Sequence, residues 1–143
     1  MYSTGQKYYV DKLLEILDPK KEVFSYVLYQ NACYTFEKPD EDINLLIKDI
    51  SRFQNRDLKR SILLDPRPIN FIMTPENGYP VVPYSAEFQN LNNGPKDEFL
   101  LSLIDELEKL KKVDDVRPYL DEQFKVLQTL KSSKLIWSYS IQT

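Results

Sequence analysis

The sequence contains no histidine and only one cysteine, Cys33, in 143 residues. The absence of imidazole excludes Ser-His-Asp triads, Cys-His dyads and zinc sites with histidine ligands. A single cysteine excludes an internal disulfide framework and a zinc cluster with several thiolates. Any catalysis must therefore use carboxylates, lysine, serine or threonine hydroxyls, tyrosine, or a metal ion held by oxygen atoms.

Long apolar runs and a strong net charge are also missing. Nineteen Lys plus Arg against 22 Asp plus Glu give a formal net charge of −3, so there is no overall basic field that would hold nucleic acid. The longest apolar runs have only a few residues, and we expect no membrane span and no signal peptide. A composition of 42% hydrophobic and 29% charged residues is typical of one globular domain.

The hydrophobic pattern predicts helices that alternate with strands. Helices are expected over 10–17, 43–50, 96–112 and 116–130, with Ser3 or Thr4 as a suitable N-cap of the first, and strands over 23–29, 61–65 and 81–82. This order predicts an α/β fold with a mainly parallel sheet. The leucine stripe of the third helix is expected to pack in the core. A parallel sheet normally has more strands than these, which indicates that part of it is missing.

Asp65 ends the clearest buried strand, Ser61–Asp65, and Pro66 follows it directly. Open α/β sheets build their sites at the carboxyl ends of strands, although Asp65 taken alone is explained equally well as a turn residue. Lys48 taken alone would be a solvated lysine on an amphipathic segment. Ser3 taken alone would be an N-cap. Each of these residues needs further evidence before a functional role is assigned.

A set of motifs supplies that evidence, because they occur together and in a fixed order. They are Tyr2–Asp11 running on to Pro19, Ile47–Phe53 with Arg56–Leu58, Leu63–Phe71 with Pro75–Pro80, and Val113–Leu120. Over roughly residues 1 to 127 the chain resembles the small carboxy-terminal-domain phosphatases (NLI-interacting-factor-like) of the haloacid dehalogenase superfamily. The resemblance implies a Rossmannoid parallel sheet with flanking helices, truncated at the N-terminus. Residues 1–130 would be the C-terminal part of the phosphatase-like domain and 131–143 an irregular tail.

The resemblance implies a role for each candidate residue. Ser3 falls on the phosphate-contacting hydroxyl, Lys48 on the catalytic lysine and Asp65 on the motif acid, with Thr4 as a substrate contact. The implied reaction is magnesium-dependent hydrolysis of phosphoserine or phosphothreonine in a phosphoprotein, through an aspartyl-phosphate. Asp65 would also contact the Mg²⁺, directly or through water. The family favours the nucleus or cytoplasm over the mitochondrion, without fixing the compartment.

Several departures from the family pattern complicate this function. The family's Asp-x-Asp-x-Thr signature is absent, which implies that the first strand, a β-hairpin and a helix precede Met1 and that this chain alone is inactive. Pro66 replaces the asparagine that holds magnesium, so one oxygen ligand is lost or is replaced by water. Gln30 replaces an arginine that contacts substrate. The alternative is a non-catalytic protein-binding or scaffold member, like the presequence receptor of the mitochondrial inner membrane.

The missing first strand has a structural consequence. In this superfamily it lies between the strand that would end at Ser3 and the strand that ends at Asp65. Each buried backbone group left without a partner costs about 1–3 kcal/mol. We therefore expect that the remaining strands re-pair, that the chain associates with another copy through the exposed sheet edge, or that it is unstable.

Overall fold

Four α-helices and four short β-strands form the part of the chain that the computed structural model describes, residues 1–38, 43–84 and 97–132. The helices are α1 (Lys7–Leu17), α2 (Phe99–Leu110), α3 (Val116–Phe124) and α4 (Val126–Ser132). The strands are β1 (Tyr34–Lys38), β2 (Ile43–Ile47), β3 (Leu63–Asp65) and β4 (Gly78–Pro80). None of these helices is long and apolar enough to cross a bilayer.

The strands form two separate pairs. β3 runs parallel to β4, with Leu63 opposite Gly78, and β1 pairs with β2 as an antiparallel hairpin. One further parallel bridge joins Tyr2 to Leu28. The α/β class is therefore confirmed, whereas the parallel pairing within the described residues is limited to this short sheet and this single bridge.

The core holds the short parallel sheet against the C-terminal helices. One cluster contains Ile50, Leu63, Phe71, Val126 and Leu130, and a second contains Tyr79, Leu103, Leu110, Val116 and Leu120. Burying each such side chain contributes about 1.5–3 kcal/mol. The two clusters fix β3 and the loop that follows it, which is where Asp65 lies.

The helix expected over 43–50 is wrong, because this segment contains strand β2. Leu46 lies opposite Thr35 and Leu45 lies opposite Phe36, so the apolar residues pair across a hairpin. The partner strand β1 was not predicted. Its sequence Tyr34-Thr35-Phe36 consists of aromatic and β-branched residues, which fit a pleated surface, and this signal could have found it.

The strand expected over 23–29, with both faces covered, is also wrong apart from the bridge at Leu28. The carboxylate of Asp18 accepts hydrogen bonds from the amides of Val23 and Phe24, which holds the start of this segment in a turn. The side chains of Val23 and Tyr26 are exposed. Local side-chain bonds to the backbone therefore prevent a longer strand.

Two details of the first two helices differ from the expectation. Gln6, rather than Ser3 or Thr4, is the N-cap of α1, and its side chain makes no capping bond. The stripe on α2 is only partly core, since Leu103 and Leu110 are buried but Leu100 is 73% exposed. These differences arise because the pattern defines a face of a helix but not what covers it.

The last predicted helix, over 116–130, is divided at Lys125. This residue has a φ of 48°, in the left-handed region, and it separates α3 from α4. The sequence offers Asp114 or Asp115 as its cap, and in the structure Asp115 caps α3, through its side chain and the amide of Arg117. The strand expected over 81–82 is wrong, because β4 ends at Pro80, before either residue. The charged run Glu37–Asp42 predicts a solvated acidic loop, but Glu37 and Lys38 belong to β1. The rest of this loop, and all but the first two residues of the predicted tail, lie outside the described residues.

Candidate functional site

Two strand ends bring Lys48 and Asp65 into contact. β2 ends one residue before Lys48, and β3 ends on Asp65. The Lys48 Nζ atom donates to Asp65 Oδ2 at 2.5 Å, and the two side chains are 10% and 4% exposed. Buried ions are found in proteins when they are paired in this way. The contact joins two residues that the same set of family motifs indicates as candidates.

The remaining oxygen of Asp65 is also engaged. Its Oδ1 accepts a hydrogen bond of 2.7 Å from the backbone amide of Arg67. Burial opposes ionisation, yet the hydrogen bonds from Lys48 and from the Arg67 amide hold the pKa of Asp65 below its ordinary value. The amide of Asn70 also lowers this pKa, although both its polar atoms are buried without a hydrogen bond of good geometry. Asp65 is therefore a carboxylate whose two oxygens are both occupied.

Ser3 and Thr4 follow the parallel bridge between Tyr2 and Leu28. The amide of Ser3 donates to the carbonyl of Leu28 at 2.8 Å, which fixes the backbone here. The Ser3 Oγ atom accepts a hydrogen bond of 3.0 Å from the amide of Gly5. A serine hydroxyl that accepts in this way still has its own hydrogen to donate. Ser3 can therefore donate to an anion.

Arg67 joins the two halves of the site, and it was not among the predicted residues. Its Nη2 atom donates to Thr4 Oγ1 at 2.9 Å, while its own backbone amide holds Asp65. Pro66 and Pro68 flank it, and it has extended backbone with φ −101° and ψ 116°, as expected before a proline. The signal that could have found it is a cation fixed between two prolines directly after a strand.

Cys33 lies beside the Ser3 backbone and within the electrostatic field of both cations. Its Sγ atom is 3.7 Å from the carbonyl oxygen of Ser3. Burial raises the pKa of the Cys33 thiol, and the positive charges of Lys48 and Arg67 act against this increase. The structure thus brings Lys48 and Asp65 into direct contact, and it connects Thr4 to them through Arg67. Ser3 adjoins this group as the residue before Thr4.

A groove of about 590 Å³ separates the N-terminal segment from β3, with Tyr2 on one wall and Leu64 on the other. Met1 and Ser3, on either side of Tyr2, make the backbone hydrogen bonds to Leu28. In a parallel bridge the N–H and C=O of the residue between them, Tyr2, therefore point away from Leu28. The carbonyl of Asp65 accepts from Val81, so by alternation the N–H and C=O of Leu64 point away from β4. Both walls therefore carry backbone groups that β-pairing has left free, at the position where the resemblance expects another strand.

The described residues do not by themselves fit a magnesium ion. Mg²⁺ needs near-octahedral oxygen ligands, but the oxygens of Asp65 are taken by Lys48 and Arg67. Pro66 has no side-chain oxygen. Among residues 1–38, 43–84 and 97–132 there is no group of three or more acidic or cysteine side chains arranged to hold a metal ion. We therefore derive no step through a metal.

Comparisons with known proteins agree with the resemblance. The family described as "NLI interacting factor-like phosphatase" matches residues 1–117. "CTD small phosphatase-like protein 2" of Dictyostelium discoideum is 33% identical over 133 residues, covering 93% of this chain and 21% of that protein. "Carboxy-terminal domain RNA polymerase II polypeptide A small phosphatase 2" of Mus musculus is 31% identical over 116 residues, covering 81% of this chain and 37% of that protein.

A relative of a different kind is also similar. "Mitochondrial import inner membrane translocase subunit TIM50" of Candida albicans is 36% identical over 124 residues, which cover 85% of this chain and 23% of that protein. The chain thus spans between 21% and 37% of the length of these three relatives. From the family match and these identities together, the chain belongs to the NLI interacting factor-like phosphatase family, which is haloacid dehalogenase-like.

Proposed function

We propose that this chain supplies the phosphate-binding half of a protein phosphatase site that acts on phosphoserine or phosphothreonine. The observation that carries the proposal is the buried contact between Lys48 and Asp65, joined through Arg67 to the Thr4 hydroxyl. Phosphoryl transfer requires mainly positioning and stabilisation of charge. A buried ammonium and short hydroxyls at the end of a strand are suited to both tasks.

Each residue has a specific task in this proposal. The Lys48 ammonium neutralises the charge that develops on the equatorial oxygens of the phosphoryl group. Asp65 positions Lys48 through their 2.5 Å contact. Ser3 donates its hydroxyl hydrogen to another phosphoryl oxygen, and Thr4 contacts the substrate on the side of Arg67.

The chemical step needs a second carboxylate as nucleophile, because Asp65 is already bound to Lys48 and Arg67. The groove between Tyr2 and Leu64 is suited to a strand that carries it, since backbone groups on both walls can pair with such a strand. The strand would come from another segment of a longer protein or from a second chain at the exposed sheet edge. We therefore propose that these 143 residues alone do not turn over phosphate. Magnesium dependence stays a prediction for a site completed by further carboxylates.

A second candidate function is protein binding without catalysis. Pro66, where the family pattern has a magnesium ligand, favours it, as does the poor fit of the described residues to a metal ion. One relative is named as a subunit of a mitochondrial import translocase. On this alternative, the groove and the site residues would bind a protein segment that is not altered.

Titration with beryllofluoride and magnesium distinguishes the two functions, because this complex mimics an aspartyl-phosphate. We expect no saturable binding to the chain alone, and saturable binding once a segment with an Asp-x-Asp-x-Thr strand is added. A control segment with both aspartates replaced by asparagine should restore nothing. If the added segment protects the groove from hydrogen exchange but beryllofluoride still does not bind, the catalytic proposal is wrong and the binding alternative is supported.

A further inference from the structure

We propose that Arg67 makes this site a metal-independent binding site for a phosphate monoester dianion. Its guanidinium, the Lys48 ammonium and the hydroxyls of Ser3 and Thr4 together supply the charge and the donors. The inference deepens the proposed function and rests on it, because it specifies how the site would hold a phosphoserine or phosphothreonine group.

The position of Arg67 is fixed by the loop, while most of its donors make no hydrogen bond to the described residues. Pro66 and Pro68 restrict the backbone on both sides, and the Arg67 amide is bound to Asp65 at 2.7 Å. The guanidinium bonds to Thr4 Oγ1 at 2.9 Å, which uses one of its five N–H donors. The free donors form a planar fork that matches two phosphate oxygens.

The charge of Arg67 is also unpaired among the described residues. In the part of the chain that the structure describes, no carboxylate forms an ion pair with its guanidinium. Asp65 is the nearest acid in sequence, and its side chain is committed to Lys48 and to the Arg67 amide. The three groups joined by these contacts, two cations and one anion, therefore carry a net positive charge among themselves, which is complementary to a phosphate monoester of charge about −1.5 to −2.

Both cations lie beside the segment Tyr2–Thr4, since the Lys48 Nζ atom is 5.9 Å from the centre of the Tyr2 ring and the Arg67 guanidinium bonds to Thr4. The charges of Lys48 and Arg67 each lower the pKa of the Cys33 thiol against the effect of burial, and this thiol lies 3.7 Å from the carbonyl oxygen of Ser3. An anion bound at the Ser3 and Thr4 hydroxyls would thus lie within the field of both. A divalent cation at that place would be repelled by the same two charges.

The experiment is isothermal titration calorimetry of the 143-residue chain with a phosphoserine peptide, in EDTA and in magnesium. We expect the two dissociation constants to agree within about two-fold, and Arg67→Gln to weaken binding by about ten-fold or more. Arg52→Gln removes an equal charge from an exposed position outside the site, and it should change affinity less than two-fold. The affinity of Arg67→Lys should lie between those of the wild type and Arg67→Gln, because lysine keeps the charge but lacks the planar fork of donors. Thermal unfolding of each variant verifies that it is folded.

Titrations with control ligands identify the chemical group that the site recognises. The unphosphorylated peptide should not bind, and inorganic phosphate should compete with the phosphopeptide, since the site recognises the phosphate group. A strict requirement for magnesium, or equal affinity of Arg67→Gln and Arg52→Gln, would overturn the inference and leave the proposed phosphatase function standing. Absence of any phosphate-dependent binding also overturns it. Metal-free binding through Arg67, combined with no beryllofluoride binding even after the Asp-x-Asp-x-Thr segment is added, would instead support the inference and reject the catalytic function.

Discussion

The ammonium of Lys48 lies 2.5 Å from Asp65 Oδ2, and the two residues come from the ends of strands that do not pair with each other. The contact therefore connects the β1–β2 hairpin to the β3–β4 sheet. Removing one member of a buried ion pair leaves an uncompensated charge, whereas removing both members is often tolerated. The stability of the domain should therefore depend on the pair rather than on either residue alone.

We predict that Lys48→Met and Asp65→Leu each lower the free energy of unfolding by about 3 kcal/mol. The double variant should lose clearly less than the sum of the two, because no unpaired charge remains. Urea denaturation of the four proteins measures this coupling. Lys12→Met, which breaks an exposed pair with Glu15, should cost no more than about 0.5 kcal/mol. Strict additivity of the two buried substitutions would contradict the prediction.

The stability of the protein should fall in acid, partly through Asp65. The folded state holds the pKa of this carboxyl below its ordinary value, so the unfolded state binds a proton first as the pH falls. The stabilisation is therefore complete above the unfolded pKa of about 3.9 and is lost as the pH falls through the lower folded pKa.

This pH dependence can be assigned to Asp65 by comparing the wild type with Asp65→Asn between pH 6 and pH 2. We expect the difference in unfolding free energy to shrink as the pH decreases. Asp115→Asn is a useful comparison, because Arg117 lowers the pKa of Asp115 to about 2 on another part of the molecule. A difference for Asp65→Asn that stays constant down to pH 2 would show that its charge does not matter.

Individual residues show which features of the fold and of the site can be predicted from local sequence. Asp65 was found because an aliphatic strand, two prolines and a matching motif coincide, and these are local features. Asp115 as a cap and the helix from Lys7 to Leu17 are local in the same sense. The family and the α/β class followed from the order of the motifs.

The errors have a different cause, because they depend on partners distant in the sequence. The apolar spacing of Ile43–Ile47 fits a helix as well as a strand, and pairing with β1 decides between them. Arg67 was missed because its role depends on Thr4, 63 residues away. Nothing in the local sequence of either residue specifies such a contact.

A close contact between β4 and the loop before it gives a third prediction. A methyl group on Gly78 would lie 2.8 Å from the ring of Phe71, which is buried in the core. Gly78→Ala should therefore destabilise the protein by about 1–3 kcal/mol. Adding Phe71→Leu should recover part of this loss, so that the double variant loses less than the sum. A Gly78→Ala protein with the stability of the wild type would show that the ring can move aside.

A fourth prediction concerns two successive amides of β3, of which one faces β4 and the other faces the groove. The amide of Asp65 faces β4 and that of Leu64 faces the groove, as inferred from the bond between Val81 and Asp65. Hydrogen exchange of the chain alone, followed by NMR, should therefore be slow at Asp65 and fast at Leu64. Tyr2 on the opposite wall should also exchange fast.

Binding of a strand in the groove should reverse this difference. When a segment with an Asp-x-Asp-x-Thr strand is added, the amides of Leu64 and Tyr2 should both become protected, because a strand between two walls pairs with each. Protection that depends on the concentration of the chain alone would instead identify a second copy as the partner. Full protection of the Leu64 amide in a monomer without the added segment would mean that this edge of β3 already has hydrogen-bond partners. In that case the groove could not accept the strand on which the proposed catalysis depends.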